Sequence, residues 1–97
     1  LRQAQQLQAK LAKAQEELAT LTAQGSAGGG AVTTVVTGDQ KLQSIKIDPE
    51  AVAGNDAGMF EDLVLTAVND GLEKSRHLAS QHLSKATGGL NIPGLGL

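Results

Sequence analysis

The chain has 97 residues, 40% of them apolar but only one aromatic, Phe60, so it forms one domain with a thin core. It has no cysteine, which excludes disulfides and Cys-based metal or nucleophile chemistry. Its formal charge is −2, its apolar runs are too short to span a bilayer, and the opening Leu1-Arg-Gln-Ala-Gln-Gln is not a signal peptide, so a cytoplasmic protein is expected.

Residues 2–19 are rich in Ala, Gln, Leu, Lys and Glu and contain no Gly or Pro, which predicts a helix. Ala4, Leu7, Leu11, Ala14, Leu18 and Leu21 recur at alternating steps of three and four. That is a narrow seam, suited to packing against another helix. From Thr20 the pattern changes. Thr22, Gln24 and Ser26 alternate with smaller residues, as in a short strand. Gly28-Gly-Gly30 suits a hairpin turn, and residues 31–37, β-branched apart from Ala31, predict a second strand. After a turn at Gly38–Lys41, residues 42–47 alternate, with Ile45 and Ile47 on one face and Lys46 on the other. Asp48-Pro49 ends that strand, and residues 50–57 are expected to form a loop or short turn.

A second helix is predicted from about Gly58 to Thr87, with Asp56 as its N-cap. Its first half holds Phe60, Leu63, Val64, Leu65, Val68 and Leu72, enough to cover a sheet. Leu63, Val64 and Val68 are expected to be buried there against Ile45 and Ile47. Its second half has only Leu78 and Leu83 as large apolar residues, so it should project and pair with the first helix as an arm. Gly88-Gly89 then stops the helix and starts a flexible tail. The reading is α+β, in the order α-β-β-β-α, with one domain over residues 1–87 and a tail over 88–97.

No constellation for chemistry emerges. His77 and His82 lie about 140° apart on a helix, unsuited to sharing one metal. The adjacent pairs Glu16-Glu17 and Glu61-Asp62 diverge and suit a solvated face and the helix dipole. The glycine run lacks the Lys and Ser/Thr of a phosphate loop and precedes a strand. No enzyme activity, cofactor, metal or small-molecule substrate is expected.

Charge is segregated. Residues 25–73 carry two lysines against eight acids, whereas residues 74–97 carry Lys74, Arg76 and Lys85 and no acid. On the second helix Lys74, His77, Gln81 and Lys85 form one stripe about 16 Å long, with Arg76 on the far side. On the first helix Lys10 and Lys13 share one side, with Arg2 nearer the start. These eight residues are the candidate phosphate contacts, against the plainer reading of an ordinary solvated face. With one Phe, stacking on single-stranded bases is disfavoured and duplex backbone favoured.

Several stretches together resemble the YbaB/EbfC family of bacterial nucleoid-associated proteins. They are Gln3-Ala-Gln-Gln-Leu7, Lys13-Ala-Gln-Glu-Glu-Leu18, Gly28-Gly-Gly-Ala-Val32, Ile45-Lys-Ile-Asp-Pro49, Glu61-Asp-Leu-Val64, Asn69-Asp70 and the closing Gly-Gly-Leu-Asn-Ile-Pro-Gly. The resemblance implies a three-stranded antiparallel sheet between two long helices, and a tweezer-like homodimer. It also implies binding of double-stranded DNA with low sequence specificity through the helices, without membrane or catalytic residues. The alternative is a scaffold dimer that docks partner proteins on its helical arms.

Overall fold

The computed structural model describes residues 1–88. The order is helix α1 (Arg2–Glu17), strands β1 (Thr22–Ala27), β2 (Val32–Thr37) and β3 (Leu42–Ile47), a short helix α2 (Pro49–Val52) and the long helix α3 (Ala57–Ala86). This is the α-β-β-β-α arrangement expected, with the three strands antiparallel in the order β1-β2-β3. The tail expected over 88–97 lies, from residue 89 on, outside the described residues.

Local chemistry sets the element ends. The first helix closes through a turn of 3-10 helix at Leu18–Thr20, two residues sooner than expected, and the Thr20 hydroxyl donates back to the Glu17 carbonyl at 2.7 Å. In the β1–β2 hairpin Gly28, Gly29 and Gly30 all have φ between +63° and +100°, a path that β-carbons disfavour. Asp48 does more than end β3. It caps α2, its Oδ1 accepting from the Glu50 amide at 3.1 Å with Pro49 in the first turn, so residues 49–52 are helical where a loop or short turn was expected. Asp56 caps α3 as expected, accepting from the Met59 amide at 2.8 Å.

The long helix lies along β1 and reaches β2. It contacts them through a stripe of small residues, Ala67, Gly71 and Ser75, all buried. The approach is close enough that a β-carbon on Gly25 would sit 2.2 Å from the Gly71 nitrogen and 2.5 Å from the Ala67 oxygen. Polar groups caught in this contact are satisfied. Thr34 donates to the Ala67 carbonyl at 2.7 Å, and Ser75 donates to the Thr37 carbonyl while accepting from the Gln40 amide group. That last bond anchors the β2–β3 turn, where Gln40 has φ of 69°.

The core differs from the expectation in one respect. Leu63 and Val64 pack against the buried cluster of Ala27, Val32 and Ala67, and Val68 is partly buried. Ile45 and Ile47 are not buried; they are 43% and 38% exposed. Their face was right: they pair with Thr34 and Val32, whose side chains point toward α3. The helix, however, crosses over β1 and leaves β3 uncovered, because only the small residues of β1 admit so close an approach. Apolar surface stays uncovered as a result, with Leu42, Ile45 and Ile47 exposed on β3 and a mostly apolar trough on one flank of α3 lined by Phe60, Glu61, Val64, Leu65 and Val68.

On the other flank of α3, Asp70 accepts from the Ser26 amide at 2.9 Å and from the Lys74 ammonium at 3.0 Å. The bond to the Ser26 amide, then that to Lys74, holds the Asp70 carboxyl below its ordinary value of 3.8. A carboxylate with a lowered folded value stabilises the fold at pH above the ordinary value, and that contribution fades as pH falls through the folded value. Asp70→Asn should therefore melt lower than the parent at pH 6, with the two melting temperatures converging below pH 3.8. A gap that stays constant to the acid limit would show that this carboxylate does not tie β1 to α3.

Candidate nucleic-acid interface

The arm forms where α1 runs antiparallel to the outer half of α3. The seam residues Ala14 and Leu18 meet Leu83 in a buried cluster, with Leu21, Ala79 and Ala86 packed around it. Farther along α1, Leu7 and Leu11 are partly buried and Ala4 is exposed. The seam expected from the heptad spacing is therefore used, most tightly at its C-terminal end.

That pairing fixes which charges face one another. Lys10, Lys13, Glu17, His82 and Lys85 line one depression between the helices, floored by Ala14 and Ala86. Three ammonium groups, from two helices, thus stand around a single carboxylate. Glu17 takes part in a hydrogen bond of 3.1 Å with Nε2 of His82, which closes the sheet-side end of the depression. The long, flexible lysine stems leave their heads in water, where each can meet a phosphate oxygen without desolvation of a buried charge.

The other expected contacts sit at different places. His77, Gln81 and Lys85 are exposed on one side of α3, in line with Lys74 nearer the sheet. The Lys74 ammonium is held by Asp70, so a phosphate would reach it in competition with that carboxylate. An exposed pair of this kind is weak and yields readily. Arg76 is exposed on α3 about 180° around the helix from Lys85. Arg2 lies in the first turn of α1, beyond the depression. From sequence His82 is only judged unsuited to share a metal with His77, and it has no place among the candidate phosphate contacts. It is brought to the depression by the interhelical register, which the sequence does not spell out; its step of three from Lys85 was the one available signal.

Among the described residues, no group of three or more His, Cys, Asp or Glu could hold a metal ion, and no helix is long and apolar enough to cross a membrane.

Comparison with known proteins supplies the context for this arm. The sequence profile of the YbaB/EbfC DNA-binding family matches residues 1–90. A nucleoid-associated protein of Syntrophobacter fumaroxidans is 50% identical over 95 residues, covering 98% of this chain and 86% of that protein. One of Acetivibrio thermocellus is 47% identical over 96 residues, covering 98% and 85%. The crystal structure of an uncharacterised protein from Helicobacter pylori shares the fold with a TM-score of 0.65 at 19% identity, over 77% of this chain and 78% of that one.

Proposed function

Because the chain belongs to the YbaB/EbfC DNA-binding family, we propose that it is a nucleoid-associated protein that binds double-stranded DNA as a homodimer, with little regard to sequence. The observation that carries this reading is the convergence of Lys10, Lys13 and Lys85, from two helices, on one solvent-facing depression of the arm. Ammonium groups on flexible stems neutralise phosphates and release counterions but read no base edges. Arg2, Lys74, His77 and Gln81 extend the same contact along the arm, and Arg76 offers a further cation on its other side. Residues 1–87 act as one domain in this role.

The homodimer is motivated by the uncovered trough. A monomeric soluble protein rarely exposes a large contiguous apolar patch, and here the α3 trough, where Leu65 is 59% exposed, and Ile45 and Ile47 on β3 all stand uncovered. An isologous pairing of two such troughs covers both and sets two arms on one side or on opposite sides of a two-fold axis, matching the pseudo-symmetry of a duplex. In sedimentation at micromolar concentration the chain should run at twice its 9.9 kDa mass, and Leu65→Glu should shift it to the monomer. A monomeric parent chain would remove the two-armed arrangement.

The test of the function is fluorescence anisotropy with several unrelated duplexes at stepped salt. Similar affinities across sequences, falling steeply with salt, are expected. Binding that ignores salt, or is confined to one sequence, would overturn the reading and favour arms that dock proteins.

A further inference from the structure

The flank of α3 away from the trough carries a second concavity. The β1–β2 hairpin, α2 and the start of α3 enclose a cleft of about 420 Å³, open to solvent. Its floor is small and apolar: Ala27 and Ala31 are buried, and Leu63 closes one wall. Met59 stands at its lip, 54% exposed, the kind of adaptable side chain that repacks around an incoming one.

The rim is acidic. Residues 48–62 contain five acids and not one basic residue; Glu61 lies on the trough flank of α3, which leaves Asp48, Glu50, Asp56 and Asp62 on the segment that borders the cleft. Asp62 lines the cleft directly, and Glu50 adjoins its lining residue Ala51. Neither of these two side chains is engaged in a hydrogen bond or ion pair among the described residues. Asp48 and Asp56, by contrast, are occupied as helix caps. The free carboxylate of Asp62 on the cleft, with that of Glu50 on the bordering helix α2, repels a phosphate backbone, so DNA is not the occupant. The same pair attracts a cation that arrives on an apolar stem.

We propose that this cleft docks a basic amphipathic helix of a partner protein. Leucine- or methionine-sized anchors of that helix enter between Ala31 and Met59, and its lysines or arginines meet Glu50 and Asp62. Helix-in-groove recognition lays an apolar helix face into an apolar groove, and opposite charge beside the groove steers the helix and fixes its register. The site lies at the sheet end of the molecule, remote from the lysines of the arm, so one molecule can hold DNA and a basic protein at once.

The probe is a synthetic helical peptide of leucine and lysine with one apolar face, titrated into the isotopically labelled full chain and followed by amide NMR. A scrambled peptide of the same composition, with no apolar face, is the control. Shifts should centre on Ala27, Ala31, Ala51, Met59 and Asp62 and be weak with the scrambled peptide. The double variant Glu50→Lys, Asp62→Lys should weaken binding about tenfold or more through like-charge repulsion. Its amide spectrum should otherwise stay folded, because neither side chain holds another group. Shifts centred on the trough or the arm, equal response to the scrambled peptide, or indifference to charge reversal would each overturn the proposal. So would contacts from a second copy onto Ala31 and Met59 in the free protein, which would make the cleft part of the homodimer.

Discussion

Gly25→Ala should cost about 3 kcal/mol or more, the largest effect of any single methyl group in this fold. The added carbon would lie 2.2 Å from the Gly71 nitrogen and 2.5 Å from the Ala67 oxygen. Both are backbone atoms of a helix, so no side-chain rotation relieves the clash. The long helix must lift from the sheet, which loosens Val32, Val36 and Ala67 together and stretches the Thr34 bond to the Ala67 carbonyl. Overpacking ordinarily costs about 1–3 kcal/mol, and this site has less room to yield than most. At roughly 4–8 °C per kcal/mol for a domain of this size, the melting temperature should fall by about 12–24 °C at equal protein concentration. Gly71→Ala should cost less, because its new carbon would press on the ends of Thr34 and Val36, not on backbone. Gly58→Ala is the control: the nearest atom is Asp56 Oδ1 at 3.6 Å, and alanine there should be neutral or stabilise by about 0.4–1 kcal/mol. If Gly25→Ala melts with the parent, the helix does not sit where the structure puts it.

The same contact explains why part of the core was hard to read. Hydrophobic periodicity assigns burial to large residues, and it located the right elements: the β-branched run of β2, the alternation of β3, and the leucine seam of α1. Burial in this sheet is governed by closeness instead. Ala67, Gly71 and Ser75 recur every fourth residue, and Gly25 interrupts a strand, but such residues score as weakly apolar or polar. Their value lies in the atoms they lack. Once α3 settles over β1 on those small residues, Ile45 and Ile47 are stranded on the correct face of an uncovered strand. A glycine inside a strand pattern is a known sign of close backbone approach, and it was the available cue. The arm was legible to a similar depth. Helical spacing alone puts Lys10 and Lys13 on one side of α1. That Lys85 and His82 face them, and that Glu17 stands among them, follows from how Ala14 and Leu18 slot beside Leu83. Packing of that kind is a property of two surfaces, and neither segment contains it by itself.

Replacing Lys10, Lys13 and Lys85 together by alanine should reduce duplex affinity by orders of magnitude while leaving the fold intact. All three side chains are exposed at the margin of the seam, and none is held in an ion pair among the described residues, so the cluster of Ala14, Leu18 and Leu83 keeps its packing. Two arms with three lysines each give at most six phosphate contacts. At about 0.9 per contact, the slope of log K against log salt should flatten by up to about 5.4. Over a fourfold rise in salt the parent would then lose about a thousandfold more affinity than the variant, on the same relation. Because phosphates carry no sequence information, unrelated duplexes should be weakened alike. Glu17→Gln separates this mechanism from simple loss of net charge. It removes the one carboxylate from the depression, so it should strengthen binding and act only when the three lysines are present. An unchanged slope in the triple variant would leave these lysines as a solvated helix face. The cations to test next would be Arg2 and Lys74, which lie outside the depression along the same side of the arm, and Arg76 on its other side.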